Sequence, residues 1–256
     1  MTQTVLITGA SSGIGRGLAV ELAARGYDLG LTARRLDALE QLGQEIRQRH
    51  PDRRIEVRRL DVTDYDEVPK VIDDLARALD GLDVVVANAG IGGSGPIGHG
   101  HARTDRTIIE TNLLGAMATI DAAVALFQQG QGRGHIVAIS SVAAFRGLPG
   151  SAAYSASKAG VAMYADALRT ELHGTSIKVT TLTPGYIDTP LNEHLTRRPF
   201  LISLDKGATL IADTIERGVS ASIPSYPWKV LSRILPILPT SQIAKRYQTH
   251  DSDDPK

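Results

Sequence analysis

The chain has 256 residues, with 28 Lys and Arg against 28 Asp and Glu, 25 Gly and no Cys. A zero charge balance argues against a nucleic-acid partner, which an electrostatic binder meets with a basic surplus. The missing cysteines exclude a disulfide scaffold, a zinc–cysteine site, an iron–sulfur cluster and thiol catalysis, and they fit a reducing compartment.

The start, MTQTVLITGA, lacks a basic stretch followed by a long apolar one. It reads as a strand entering a fold and not as a secretory signal, so the cytoplasm is the expected location. No apolar run reaches the ~18 residues of a spanning helix.

In chain order, Val5-Leu6-Ile7 forms a first strand, and Ile14, Leu18 and Leu22 follow at helical spacing up to Gly26. Leu29 to Leu31 is a second strand; Leu36, Leu39, Leu42 and Ile46 make a second helical stripe. Ile55, Val57 and Leu60 mark a third strand; Val71, Ile72, Leu75 and Leu79 mark a third helix. Val84-Val85-Val86 is a fourth strand, before a long helix lined by Ile109, Leu113, Met117, Ile120, Val124 and Phe127. Ile136 to Ile139 is a fifth strand, a helix runs from about Ala152 to Leu172, and Val179 to Leu182 is a sixth strand. Continuous aliphatic strands alternating with amphipathic helices predict an α/β fold. Its parallel sheet is doubly wound, of the Rossmann type, with about seven strands covered on both faces. One domain over residues 1–256 is expected, with ligands at the carboxyl ends of the strands.

Thr8-Gly9-Ala10-Ser11-Ser12-Gly13-Ile14-Gly15 follows the first strand and opens the first helix. Glycines there allow a tight turn and close approach of a pyrophosphate, and the helix N-terminus supplies free N–H groups and a favourable dipole. The second strand ends at Thr32-Ala33-Arg34-Arg35. An acid commonly stands near this point to accept from a ribose 2′-hydroxyl. A guanidinium instead grips a 2′-phosphate with paired donors, so NADP(H) is the predicted cofactor, with Arg34, nearer the strand end, ahead of Arg35.

Tyr154 and Lys158 stand four apart on a predicted helix, hence on one face. A nearby ammonium stabilises a phenolate, which fits the tyrosine for proton transfer near neutrality. Ser141, at the end of the fifth strand, offers a hydroxyl to a carbonyl oxygen, and Asn112 is a poor helix former inside a helix, a local inconsistency that often marks a site. No metal ligand set is expected.

Over roughly residues 4 to 190 the chain resembles the short-chain dehydrogenases/reductases. The matching motifs, in order, are TGASSGIG from Thr8, Asp61 in LDVTD, ANAG from Ala87, Asn112, Ser141, YSASK from Tyr154, and PGYIDT from Pro184. One departure is Ala87, where the family often has Asn; Asn88 is retained. The resemblance implies Tyr154 as general acid in reduction and base in oxidation. Lys158 would lower its pKa and hold the nicotinamide ribose, Ser141 would polarise the substrate carbonyl, and Asn112 would fix a water in a proton relay. It further implies Asp61 and Val62 beside the adenine, and Asn88, Ala89 and Gly90 on the adenosine side. Pro184, Gly185, Ile187 and Thr189 would stand at the nicotinamide. A small-molecule carbonyl or alcohol is the implied substrate, and a homodimer or homotetramer the implied assembly, with a dimer through the helices around Ala116 and Ala152 to Ala167. A catalytically silent NADP(H)-binding sensor or scaffold is the alternative, weakened by the presence of all four active-site residues. An epimerase or dehydratase of the extended relatives is disfavoured by the glycine spacing.

Residues 190–250 are expected to be the variable part: Pro190 to Gly218 as a helical flap over the substrate, then a C-terminal segment. Ala143, Phe145, Leu148 and Tyr186 are candidate pocket walls. From Arg217 to His250 no residue is acidic, while Arg217, Lys229, Arg233, Lys245 and Arg246 are basic and Trp228 is the sole tryptophan. Such a segment suits an anionic membrane surface, as in a membrane-surface reductase of lipid- or steroid-like carbonyls. Packing on its own domain or on a subunit partner is the favoured alternative.

Overall fold

The first strand, β1 (Thr4–Thr8), is buried along its whole length. Its aliphatic side chains alternate between two cores: Val5 and Ile7 enter one, Leu6 the other. That double burial is why the strand reads as an unbroken apolar run. Each fully buried Leu, Ile or Val contributes about 1.5–3 kcal/mol relative to exposure.

The computed structural model describes residues 2–93, 95–130 and 132–244. After β1 come α1 (Gly13–Ala24), β2 (Asp28–Ala33), α2 (Leu36–Arg49), β3 (Ile55–Arg59), α3 (Glu67–Ala78) and β4 (Val84–Ala87). Then follow α4 (Ala102–Ile109), a π-helical turn (Glu110–Leu114), α5 (Gly115–Gln129), β5 (Arg133–Ile139), α6 (Ala152–Glu171) and β6 (Ser176–Leu182). The chain closes with α7 (Leu204–Arg217), β7 (Ala221–Ser222) and α8 (Tyr226–Ile234). The seven strands are all parallel, in the order β3-β2-β1-β4-β5-β6-β7. The order reverses between β1 and β4, the switch point at which such sheets open a crevice.

One sheet face is covered by α1, α2 and α7, the other by α3, α5 and α6. The helix expected around Ile109 to Phe127 is longer and less regular than its apolar stripe suggests. It runs unbroken from Ala102 to Gln129, with the π turn in the middle. By length and composition it is apolar enough to cross a membrane, but half of its apolar window is buried inside the fold.

The stretch expected as a flap divides in two. Residues 188–201 are an excursion closed at its base by a bridge between Ile187 and Ile202. Helix α7 is instead a structural layer, with Ala208, Ile211, Ala212 and Ile215 buried against the sheet side. Arg25, at the end of α1, clamps it by ion pairs to Asp213 (2.7 Å) and Glu216 (2.7 Å). Strand β7, two residues long, has no aliphatic run to announce it.

Candidate active site

Where β1 ends, the chain turns at once so that α1 can pass back over the sheet. Gly9 makes the turn at φ +69°, and a side chain on it would press on the Ala89 backbone, its Cβ 2.7 Å from Ala89 Cα. Thr8 Oγ1 accepts from the backbone N–H groups of Asn88 (3.0 Å) and Ala89 (3.1 Å). Asn88 Nδ2 donates to Thr8 O at 2.8 Å. Gly15 lies behind this junction, where a Cβ would come within 2.6 Å of both Asn88 Nδ2 and Gly9 O. The loops after β1 and β4 are thus locked together by backbone-directed hydrogen bonds.

These loops open into a groove of about 300 Å³ at the carboxyl ends of the strands. At one end it is lined by Arg34, Arg35, Asp61 and Val62. Its middle holds Gly9, Ser11, Ser12, Gly13, Ile14, Asn88, Ala89 and Gly90. At the other end stand Ser141, Tyr154, Lys158, Pro184, Gly185, Ile187 and Thr189. Of the catalytic and cofactor residues expected from the sequence, Gly15 and Asn112 do not line it, and neither do the expected pocket walls Phe145 and Tyr186. The first turn of α1 has no acidic residue and no side-chain cap, so its N–H groups and positive dipole end remain for an anion. Arg35 reaches across to Ser11, its Nη2 donating to Ser11 Oγ at 3.1 Å. Asp61 spends one oxygen on its own turn, accepting from Thr63 N (3.1 Å) and Thr63 Oγ1 (2.8 Å).

At the opposite end, Ser141 follows β5 and its Oγ accepts from Ala143 N at 3.2 Å. Tyr154, on α6, has Ser141 as its neighbour across the groove. Burial pushes the Tyr154 phenol up, and the Ser141 hydroxyl works in the opposite direction. Lys158 is buried, and burial lowers its ammonium from 10.5 to about 8. Its Nζ donates to Ile139 O at 2.9 Å and lies 5.8 Å from the centre of the Tyr154 ring. The helical spacing does bring the pair to one face. Burial, Ser141 and the neighbouring Tyr186 bear on the phenol, while the ammonium donates to the β5 carbonyl.

Asn112 is 1% exposed and lies in the π turn. Its side-chain amide pairs with the Ile91 backbone in both directions, Oδ1 accepting from Ile91 N (2.8 Å) and Nδ2 donating to Ile91 O (2.9 Å). Single π turns inside α-helices often stand at functional sites. Here the extra residue swings an amide toward the loop after β4. Ser157 was missed by sequence reasoning: its Oγ accepts from Asn112 Nδ2 (3.2 Å) and donates to Tyr154 O (2.7 Å), tying the π turn to α6. Ser140 was missed too, and its Oγ donates to Lys158 O at 2.7 Å. Both lay in or beside motifs already singled out, but only the tertiary contacts show their partners.

Ala143 and Leu148 do not line the groove. They belong to a larger cavity of about 600 Å³, whose α6 residues are Ala152, Ser155, Ala156 and Ala159. Those positions fall on the side of α6 turned away from Tyr154 and Lys158. Aromatic residues gather instead beyond Gly185: Trp228 lies 5.9 Å from Tyr186 and 6.1 Å, edge-on, from Phe200. Trp228 is buried, and a Cβ on Gly185 would collide with its indole. The basic and aromatic residues at Lys245, Arg246 and Tyr247 lie outside the described residues.

This sheet order, with a glycine turn at the switch point and a Ser–Tyr–Lys end to the groove, defines a nucleotide-dependent oxidoreductase fold. A model of the short chain dehydrogenase family matches residues 3–199. An uncharacterized oxidoreductase of Mycobacterium tuberculosis is 43% identical over 239 residues, covering 93% of this chain and 94% of that one. The structure superposes with a TM-score of 0.82 on a short chain dehydrogenase/reductase from Burkholderia phymatum in complex with NAD. That pair is 21% identical, over 91% of this chain and 92% of the other. An alcohol dehydrogenase from Thermococcus sibiricus complexed with 5-hydroxy-NADP gives a TM-score of 0.78 at 26% identity, over 87% of this chain and 95% of that one. The chain belongs to the short-chain dehydrogenase/reductase family and is an oxidoreductase of it. Its neighbours bind nicotinamide cofactors of both kinds.

Proposed function

We propose that the protein is an NADP(H)-dependent oxidoreductase interconverting a small-molecule carbonyl and its alcohol, with Tyr154 as the general acid and base. One observation carries this reading: Tyr154, with Ser141 and the buried Lys158 beside it, stands at one end of a groove whose other end holds two arginines. The groove suits a dinucleotide. Gly9 leaves room where a Cβ would meet backbone, the α1 N-terminus is unneutralised, and Arg34 and Arg35 favour a 2′-phosphate.

A nicotinamide dinucleotide held there supplies or accepts the hydride. The chain's own part is geometry and the proton. In reduction, the Ser141 hydroxyl donates to the substrate oxygen and Tyr154 delivers its phenolic proton to that oxygen as the alkoxide forms. Lys158, 5.8 Å from the Tyr154 ring centre, is the cation that would stabilise the phenolate left behind and would hold the nicotinamide ribose. Asn112, braced by Ile91 and Ser157, keeps the π turn and α6 in register behind it. In oxidation the same groups run in reverse. The outward faces of α5 and α6 are where we place a two-fold contact between copies.

The test is Tyr154→Phe, assayed with NADPH against a panel of ketones, aldehydes, quinones, acyl thioesters and steroids. Turnover is expected to fall about 10³-fold or more, while NADPH binding, followed by nicotinamide fluorescence, stays at the parental level. Substantial residual turnover refutes the assignment.

A further inference from the structure

Nine of the thirteen large apolar side chains that stand exposed among the described residues fall between Leu191 and Ile237. They are not scattered. Tyr226, Val230 and Ile234 follow one another at a four-residue interval on α8, and Ile237 continues past its end. Their exposures are 76%, 47%, 41% and 78%. The opposite side of the same helix carries Trp228 and Ser232, both buried. Helix α8 is thus anchored through its tryptophan and turns its aliphatic stripe outward, the reverse of what a surface helix of a soluble domain does.

Two cations flank the stripe. Lys229 and Arg233 are exposed, and neither has an ion-pair partner among the described residues. Arg25, Arg54, Arg58, Arg169 and Arg198, by contrast, each pair with a carboxylate. No acidic residue occurs from Arg217 to His250, so α8 is a local positive field on a chain of zero net charge. An outward apolar stripe bordered by unpaired cations is complementary to an anionic lipid interface, into which the side chains insert while the cations meet phosphate.

We propose that α8 docks the protein on an anionic phospholipid surface through Tyr226, Val230, Ile234 and Ile237, with Lys229 and Arg233 on the headgroups. The helix sits beside the groove, since Trp228 packs on Gly185 and Phe200, and Gly185 lines the groove. The proposal does not depend on the reductase reading, because it concerns a face that contains none of the groove residues.

The test uses the full chain with vesicles of phosphatidylcholine alone and of phosphatidylcholine with phosphatidylglycerol, separated by flotation at low and high salt. The parental chain is expected to float with the anionic vesicles and to be released by salt. Val230→Asp with Ile234→Asp should cut binding about tenfold or more, and Lys229→Gln with Arg233→Gln should remove the salt sensitivity. Both pairs point to solvent, and thermal melting and NADPH binding check that the fold and groove survive. Three results overturn the proposal: no preference for anionic vesicles, unchanged binding by the Asp pair, or a vesicle-free dimer that the Asp pair dissociates. The last would make the stripe a contact between copies. Loss of NADPH binding in the parental chain would fall on the cofactor reading alone.

Discussion

The middle of the groove and its Tyr154 end are built on different physics. Around Thr8 and Asn88 the loops are held by hydrogen bonds between backbone and short polar side chains. Around Gly185 they are held by ring packing, and the Trp228 indole N–H is buried without a hydrogen-bond partner among the described residues. A hydrogen-bonded junction has one geometry, because each displaced donor or acceptor loses a directional partner. A packed aromatic junction tolerates sliding and substitution, since dispersion and apolar burial have little direction. The first suits a cofactor shared across a family. The second suits a surface that differs from member to member.

Acid is the strongest way to disturb the scaffold behind both. His135 in β5 is buried, its Nε2 2.8 Å from Thr180 Oγ1, and burial lowers its pKa from 6.5 to about 4. The folded state then binds fewer protons than the unfolded chain between those values, so stability is full above pH 6.5 and falls as pH drops toward 4. The loss should approach about 3 kcal/mol, read by urea unfolding across that range. His135→Gln should flatten the profile there; an unchanged slope would show the acid sensitivity to lie elsewhere.

A pair of glycine substitutions sharpens the contrast directly. Gly9→Ala forces a side chain into a positive φ and against the Ala89 backbone, and should weaken NADPH binding with no side-chain change able to restore it. Gly185→Ala meets only the Trp228 indole and should cost about 1–3 kcal/mol. Adding Trp228→Ala should relieve that clash, so the two changes together should cost less than the sum of the separate changes. Strict additivity in thermal or urea unfolding would mean that Gly185 and Trp228 are not coupled as the contact implies.

The smallest expected effect is at the arginine end. Arg34→Ala and Arg35→Ala should each reduce the NADPH to NADH ratio of kcat/KM by about tenfold, roughly 1.4 kcal/mol. Arg35, already bonded to Ser11, competes with Arg34 for the larger share. An unchanged ratio in both variants would remove the basis for preferring NADP(H).

Much of the polar machinery of the groove was readable from the chain because its signals are local. A glycine turn between a strand and a helix, and a Tyr–Lys pair one helical turn apart, are set by neighbours a few residues away. The π turn at Asn112 was not readable, because its amide answers to Ile91, 21 residues distant. Ser157 was hidden for the same reason: its partner Asn112 is 45 residues away. The flap over 190–218 was half misread because α7 carries an apolar stripe whatever it covers, and only packing shows that it faces the sheet side and α1.

The C-terminal helix marks the same boundary most clearly. Composition alone determined that residues 217–250 are basic, apolar and free of acid, and left self-packing and lipid contact as rivals. The tertiary structure gave α8 two faces, with Trp228 turned into the cover of Gly185 and Val230 and Ile234 turned out. Periodicity says which side chains share a face of a helix. Which face is buried depends on what the rest of the chain brings to meet it.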